Sequence, residues 1–223
     1  MKTSRCLSLF LALILALSIP MAALSDASEW VGEVIARQIT FRSNPKSSSK
    51  SLGSIKNGAT VTILDNDHRG WYHVQYDGKE GYVMDAYVVE NPDHMILQSS
   101  TQVYAFPHSD KRVGSLSTYT RLTIIDEYDG YYVVSLREAS GFIHKRDVDA
   151  LFDSDIKNAR PTGRIEVTDT TTTPRYGPAN AYGATRDVSK GEVFDSYGMD
   201  GDWFIINVDG HYAYLWKGVC KAI

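Results

Sequence analysis

The residues of this chain best suited to binding chemistry are large aromatic side chains that recur in one setting. Glycine or Gly-Asp precedes an aromatic residue, a second aromatic follows directly, and Val or Ile comes two positions later, at 70–74, 130–134 and 201–206. An indole or phenol ring offers a large flat contact surface and loses little rotational freedom on binding. Such rings suit a sugar ring or a peptide side chain, so the pattern favours ligand binding by stacking.

The aromatic pattern is one part of a longer repeat. About ten residues after each copy come a small, an aromatic and an aliphatic residue, at 81–83, 141–143 and 213–215. A fixed spacing that recurs roughly every 60 residues marks copies of one structural unit. We therefore predict three tandem domains, called units one, two and three below, at residues 33–90, 96–151 and 163–220.

Local sequence signals predict short β-strands in every unit. β-branched and aromatic runs alternate with turn residues, and no helical periodicity is present. Asn57-Gly58, Asp77-Gly78 and Asp209-Gly210 are typical of tight hairpins, because Asn, Asp and Gly tolerate positive φ. We expect an all-β chain of three small five-stranded barrels. The linker at 91–93 is short, whereas the longer polar stretch at 153–162 predicts that unit three is the more independent.

Strand alternation assigns the two aromatics of each copy to opposite faces. Tyr72, Tyr132 and Phe204 fall in phase with apolar neighbours and are predicted to face the core. Trp71, Tyr131 and Trp203 fall on the other face. Two interpretations stay open for this second set: each ring packs over the barrel edge against a loop, or each ring is a platform for a ligand.

The N-terminal segment predicts export. Lys2 and Arg5 precede an apolar run, Pro20 breaks it, and small residues follow, which is typical of a secretory signal peptide at 1–25. The run is short for a membrane anchor, and Cys6 precedes it, where a lipid acceptor does not lie. We expect a secreted or cell-envelope protein with no membrane span after cleavage.

Charge and cysteine content narrow the classes of partner. The chain has 23 Lys and Arg against 27 Asp and Glu, and without Lys2 and Arg5 the count is 21 against 27, a net charge of −6. An acidic surface with no basic run argues against nucleic acid as a partner. Cys220 is then the single remaining cysteine, so the predicted mature fold has no internal disulfide. The oligomeric state is left open.

Other groups with chemical potential do not form a recognisable catalytic pattern. Cys220 follows His211 by nine residues but lies in a short tail, not at a helix start that lowers a thiol pKa. Acidic pairs lie in polar turns, where solvated charge is the ordinary state. The histidines show no metal-site spacing. We predict a protein that is not an enzyme and has no metal and no cofactor. The histidines are His68, His73, His94, His108, His144 and His211.

A family resemblance covers nearly the whole of the predicted mature chain, as three tandem copies, and is most complete in unit one. Arg42 and Pro45, the segment Leu-Gly-Ser-Ile-Lys-Asn-Gly at 52–58, Gly-Trp-Tyr at 70–72 and Gly-Lys-Glu-Gly-Tyr-Val at 78–83 are similar to the bacterial SH3-like (SH3b) domain. Unit three keeps Arg175 but has Ala213 in place of Gly81. Unit two has Tyr104 in place of Arg42.

The resemblance implies a function as well as a fold. Such domains are small bent β-barrels that often target cell-wall peptidoglycan, through its peptides or its glycans. The expected function is therefore non-catalytic binding of peptidoglycan, and the alternative is a scaffold that binds an envelope or extracellular protein. Candidate ligand-binding residues are Trp71, Tyr82, Arg42, Tyr131, Trp203, Tyr214 and Arg175.

Overall fold

A computed structural model describes residues 30–137 and 139–223, so the predicted signal peptide lies outside the described residues. The prediction of an all-β chain is confirmed: the strands form two seven-stranded sheets, one five-stranded sheet and a separate two-stranded pair. The helical elements of the described ranges are short 3-10 turns. None of the helices in these ranges is long and apolar enough to cross a membrane.

The first sheet covers unit one and has the order β3-β2-β6-β5-β4-β1-β7. Neighbouring strands are antiparallel, and the last strand returns to pair with the first. The chain turns at 35–37, so residues 31–42 form two strands and not one. The strands are β1 (Val31–Val34), β2 (Gln38–Arg42), β3 (Ser51–Lys56), β4 (Thr60–His68), β5 (Trp71–Tyr76), β6 (Lys79–Met84) and β7 (Val88–Glu90).

The second sheet covers unit two and repeats the same strand order, β10-β9-β13-β12-β11-β8-β14. Its first strand follows β7 after only two residues, 91–92. The strands are β8 (Asp93–Leu97), β9 (Thr101–Tyr104), β10 (Arg112–Leu116), β11 (Arg121–Tyr128), β12 (Tyr131–Ser135), β13 (Ser140–His144) and β14 (Ala150–Phe152).

The third sheet covers unit three and keeps five strands in the corresponding order, β20-β19-β18-β15-β21. The segment that matches β2 and β3 of unit one forms only a two-residue pair and a long loop. The strands are β15 (Gly163–Val167), β16 (Thr171–Thr172), β17 (Val188–Ser189), β18 (Val193–Asp200), β19 (Trp203–Val208), β20 (His211–Trp216) and β21 (Cys220–Ala222).

Each sheet encloses its own apolar cluster, and the strand phase agrees with the sequence prediction. Val74, Val134 and Ile206 are completely buried at equivalent positions of β5, β12 and β19. The second aromatic of each copy packs against the same cluster from its edge. Burial of each such aliphatic side chain contributes about 1.5–3 kcal/mol, so these positions hold each small sheet together.

Two of the predicted hairpins form, and the third does not. Asp77-Gly78 and Asp209-Gly210 both have positive φ and join paired strands, β5–β6 and β19–β20. Asn57-Gly58 instead links β3 to β4, which are not neighbours in the sheet. The Asn57 side chain donates to the carbonyl of Ile35 at 2.9 Å, so this turn fixes the connection after β1. The hairpin prediction for Asn57-Gly58 is wrong, because the two strands that this turn joins do not pair.

The predicted independence of unit three is also wrong. Residues Asp153–Lys157 form a 3-10 helix that contacts both β8 and β20. Asp153 is 8% exposed and accepts the backbone N–H of Tyr212 at 2.9 Å. Asp153 and Ile156 are the buried residues of this helix, so the start of the stretch packs against unit three and is not a solvated linker.

Candidate ligand-binding grooves and a polar junction

An open groove in unit one is built around Trp71. Trp71 on β5 lies directly opposite Met84 on β6, and residues paired across a ladder share a face. The backbone and side chains of 36–42 form the facing wall, with Tyr87 at one end. The groove has a volume of about 400 Å³. Met84 and Tyr87 are exposed, at 39% and 43%, so a ligand on the Trp71 ring meets further apolar surface.

Unit three carries a second groove at the equivalent place. Trp203 on β19 lies opposite Trp216 on β20, in the same register as Trp71 and Met84. Thr172, Thr173 and Asn180 form the facing wall, and the volume is about 410 Å³. Trp203 also packs against the apolar cluster between units two and three. The first aromatic of the repeat thus lines a groove in both units, with one side of Trp203 already covered.

The equivalent ring of unit two, Tyr131, is not exposed at the surface. Tyr131 is 6% exposed and lies opposite His144 on β13. Its ring contacts His108, Phe142 and His144, and its hydroxyl accepts the backbone N–H of His108 at 3.1 Å. For Tyr131 the structure therefore favours packing over the ligand platform.

Arg42 and Tyr82 lie beside each other at the surface of unit one. They face each other across β2 and β6. The Arg42 guanidinium lines the Trp71 groove and donates to the carbonyl of Ser49 at 2.9 Å. The half-buried Tyr82 ring stacks on His73 at 4.7 Å. Arg42 is thus placed at the groove, whereas Tyr82 lies next to it on the same face as Trp71.

The corresponding pair in unit three is closed off. Arg175 and Tyr214 exchange backbone hydrogen bonds of 2.9 and 2.7 Å. Tyr214 is completely buried, contacts the ring of Tyr119 and donates from its hydroxyl to Gln98 at 3.2 Å. Burial raises the pKa of Tyr214 to about 12. Tyr214 therefore joins units two and three, and its ring is not accessible to a ligand.

A polar cluster joins all three units, and we call its members Glu33, His94, Asp153 and His211 the junction cluster. His94 Nε2 lies 2.7 Å from Glu33 Oε2, and His211 Nδ1 lies 2.7 Å from Asp153 Oδ2. Glu33, His94 and Asp153 are buried, whereas His211 is partly exposed. Thr123 donates to the other oxygen of Glu33.

The electrostatics of the junction cluster favour charged groups despite burial. Burial alone would raise the pKa of the Asp153 carboxyl, but hydrogen bonds from His211 and the Tyr212 N–H, together with the nearby His94 ring, lower it overall. Burial likewise opposes ionisation of Glu33, and His94 and Thr123 outweigh it, so its pKa is also lowered. Burial lowers the pKa of His94, and the Asp153 and Glu33 carboxylates raise it to a net increase. These directions favour ionised carboxylates at Glu33 and Asp153 beside the His94 ring.

Sequence spacing could not reveal the junction cluster, because His94 and His211 are far apart and belong to different units. One local signal was available. His94 begins the run His-Met-Ile-Leu of β8, in which all four residues are buried. A histidine in a strand with both faces covered needs polar partners, so the run marks a buried polar site but not its members.

Cys220 lacks the surroundings of a nucleophile. Its thiol donates to the carbonyl of Trp216 at 3.4 Å. Burial raises the pKa of the thiol to about 11. With this raised pKa the thiol is protonated at neutral pH. Because the thiolate is the reactive form, Cys220 is a poor nucleophile.

Comparison with known proteins identifies one segment directly. The family model of the bacterial SH3 domain matches residues 38–89, which are β2 to β7 of the first sheet. The match stops short of β1, although β1 lies between β4 and β7 in that sheet. Unit one is therefore similar to a bacterial SH3 domain over residues 38–89, and the residues that line the Trp71 groove lie in this segment except for Ala36 and Arg37.

A curated relative extends over most of the chain. "Putative N-acetylmuramoyl-L-alanine amidase YrvJ" of Bacillus subtilis (strain 168) is 20% identical in an alignment of 209 residues, and the alignment covers 82% of this chain and 40% of that protein. The chain thus spans well under half the length of this relative.

Solved structures with local likeness include a protein described as "Endolysin LysPBC5 CBD". It is 11% identical, and the match covers 55% of this chain and 93% of that one, with a TM-score of 0.24. An NlpC/P60 family protein from Bacillus cereus ATCC 10987 is 11% identical, with coverage of 83% and 93% and a TM-score of 0.28.

Proposed function

We propose that this chain is a non-catalytic, extracytoplasmic binding protein that attaches to bacterial cell-wall peptidoglycan through the Trp71 and Trp203 grooves. The observation that carries the proposal is the pairing of two grooves of similar volume, about 400 and 410 Å³, each lined by the first aromatic of the repeat. The bacterial SH3 match at 38–89 and the amidase name of the curated relative support the choice of ligand.

The groove of unit one has the chemistry that a wall fragment requires. Peptidoglycan combines sugar rings, which stack on aromatic faces, with short peptides that carry carboxylates. Trp71 supplies the flat face, and the Arg42 guanidinium lines the same groove. Arginine has five N–H donors in a planar fork that matches a carboxylate. A peptide carboxylate beside a stacked ring satisfies both groups at once.

Two grooves on one chain suit a polymeric ligand. A wall polymer repeats its chemistry along its length, so the second groove binds within the same encounter as the first. Linked sites of this kind raise the overall affinity by about 10²–10⁴ over one site when both can engage. Two weak grooves are therefore sufficient for firm attachment to insoluble wall.

Sedimentation with purified insoluble cell wall tests the proposal. We expect the mature protein to pellet with the wall, and Trp71→Ala to weaken binding by roughly tenfold, which corresponds to about 1.4 kcal/mol. The Trp71→Ala, Trp203→Ala double variant is expected to remain in the supernatant. Tyr128→Ala is the matched control, because this aromatic is 57% exposed and lies outside both grooves.

Two outcomes would contradict the proposal. Wild-type protein that stays in the supernatant excludes wall binding, and co-purification with one envelope protein then favours the scaffold. Pelleting that is unchanged in the double variant excludes the two grooves as the binding sites. Turnover of wall fragments that disappears in Cys220→Ala would show an enzyme.

A further inference from the structure

The junction cluster contains a buried nitrogen that the protein itself does not satisfy. His94 is 4% exposed, and its Nδ1 makes no hydrogen bond. Asp153 Oδ2 lies 3.5 Å from this nitrogen, which is beyond a good hydrogen bond. An unpaired polar atom in such a place costs free energy, so it points to a missing partner between His94 and Asp153.

Three ligand atoms surround that position. Asp153 Oδ1 is held by the backbone N–H of Tyr212, and this leaves Oδ2 to face both histidines. One ring nitrogen of His94, one of His211 and the Asp153 oxygen all lie within 4.8 Å of one another. Imidazole and carboxylate groups together form a ligand set that divalent zinc accepts, with a fourth position open to water.

We propose that the junction cluster is a binding site for a divalent transition-metal ion of the zinc type, with His94 Nδ1, Asp153 Oδ2 and His211 as its ligands. This site is separate from the two grooves and does not depend on the function proposed for them. Its ligands come from β8, from the 3-10 helix at 153–157 and from β20, so one ion links unit two to unit three.

The distances are close to those of a tetrahedral ion. Metal–ligand bonds of about 2.1 Å set the ligand atoms about 3.4 Å apart. His94 Nδ1 and Asp153 Oδ2 are already 3.5 Å apart. His211 Nδ1 is closer to that oxygen, at 2.7 Å, and must move outward. Its side chain is 42% exposed and follows the 209–210 turn, so a small rotation of the ring has room.

Glu33 provides the support that metal-binding histidines usually have. Its carboxylate lies 2.7 Å from His94 Nε2 and therefore fixes the ring with Nδ1 directed at the site. A carboxylate on the far nitrogen orients the ring and makes it a better ligand. A metal on Nδ1 takes the place of a proton there. Glu33 belongs to unit one, so the ion also tightens the contact between units one and two.

The local charge is compatible with a cation. Glu33 and Asp153 carry two negative charges, and the Arg121 guanidinium 3.4 Å from Asp153 Oδ2 carries one positive charge. Arg121 also lies over the Tyr176 ring at 4.7 Å, which holds the guanidinium beside the carboxylate. The site therefore has a net charge of −1 when both histidines are neutral.

Metal titration of the EDTA-treated mature chain tests the proposal. We expect calorimetry to show one Zn²⁺ per chain and the melting temperature to rise by about 5–10 °C when free Zn²⁺ exceeds Kd about a hundredfold. Co²⁺ gives a second readout, because four-coordinate Co²⁺ has a characteristic visible absorption.

Variants separate this site from adventitious binding. His211→Asn removes a partly exposed ligand and is expected to weaken Zn²⁺ affinity by more than tenfold, and Glu33→Gln by about 10–100-fold through His94. His108→Asn is the matched control, because His108 is exposed and pairs with Asp129 at 2.6 Å in unit two. It is expected to bind Zn²⁺ as the wild type does.

The proposal is overturned if folded wild-type protein shows neither heat of binding nor a thermal shift with Zn²⁺, Co²⁺ or Ni²⁺. It is also overturned if His211→Asn, with an unchanged circular dichroism spectrum, binds Zn²⁺ as tightly as His108→Asn. The junction cluster is then a metal-free network of paired charges.

Discussion

Units one and three carry the same pair of residues in opposite surroundings. Arg42 and Tyr82 of unit one lie at the surface beside an open groove, whereas Arg175 and Tyr214 of unit three hold the same register with Tyr214 completely buried. The covering groups are Tyr119 and Gln98, both from unit two. Repetition of sequence therefore preserves the register of a residue but not its accessibility.

The cause of this difference lies in the segment between β15 and β18. In unit one the equivalent segment forms β2 and β3 of the sheet, and in unit three it forms only the β16–β17 pair and a loop. The loop brings Tyr182 into edge-to-face contact with Tyr119 at 5.2 Å. Unit three thus uses the face beside its groove to dock onto unit two.

The largest change in stability is expected when the two equivalent tyrosine rings are removed, one in each unit. We expect Tyr214→Ala to lower the free energy of unfolding by about 3–5 kcal/mol, because it empties a buried space between two units. Tyr82→Ala is expected to cost about 1–2 kcal/mol, because the ring is only half-buried. Urea denaturation of both variants measures the difference.

Tyr214→Phe is the control for that experiment. It keeps the ring and loses only the hydrogen bond to Gln98, so a cost of about 1 kcal/mol is expected. Equal losses for Tyr82→Ala and Tyr214→Ala would mean that unit two does not close unit three in solution.

A smaller effect is expected at the small residue that precedes the equivalent aromatics Tyr82, Phe142 and Tyr214, which is Gly81, Gly141 or Ala213. A Cβ on Gly81 lies 2.6 Å from the backbone oxygen of Arg42, which cannot move aside. We expect Gly81→Ala to cost about 1–3 kcal/mol by overpacking. A Cβ on Gly141 meets only side-chain atoms of Val103 and Leu136, so Gly141→Ala is expected to cost less.

Ala213→Gly is the reciprocal change in unit three. The native methyl is completely buried, so its loss is expected to destabilise by about 0.5–1 kcal/mol through added backbone freedom. Thermal unfolding of the three variants ranks them. A neutral Gly81→Ala would indicate that β2 and β6 are further apart than the structure places them.

Stability is also expected to depend on alkaline pH. The pKa of Tyr214 is raised by burial to about 12, against an ordinary value of about 10. The folded state therefore keeps a proton that the unfolded state has lost, so stability is complete below about pH 10 and falls as the pH rises to about 12. Tyr119 acts in the same direction, because its hydrogen bond to Asp200 raises its pKa to about 12.

Urea denaturation between these pH values measures that slope. Tyr214→Phe is expected to show a shallower fall than the wild type, with the Tyr119 contribution retained. An identical slope in both proteins would contradict a buried neutral phenol at position 214.

The sequence was sufficient for features that depend on local pattern. Alternation placed Val74 and Ile206 in their cores, and the Asp-Gly pairs marked two hairpins. Asn57-Gly58 is an equally strong turn signal but joins strands that do not pair. The Asn57 side chain instead donates to the carbonyl of Ile35. Hairpin formation requires neighbouring strands, and neighbour relations are set by the whole sheet.

The candidate site residues also differ in whether local sequence pattern or distant contacts determine their surroundings. Trp71 and Trp203 were predicted from phase and line the two grooves. The burial of Tyr131 and Tyr214 depends on a loop and on another unit, respectively. The junction cluster brings together residues as far apart in the sequence as Glu33 and His211, and no periodicity of the sequence connects them. Asp153 belongs to the polar stretch at 153–162, which the sequence indicated to be a linker.

The return of each last strand to its first strand has a mechanical consequence. In all three sheets the two strands are antiparallel, with the entering and leaving ends of the chain side by side. Tension applied along the polypeptide consequently loads their hydrogen bonds one after another, as in opening a zipper, and not all together. When a unit is pulled at its two ends, this load falls on its last strand, which is β7, β14 or β21, each three residues long.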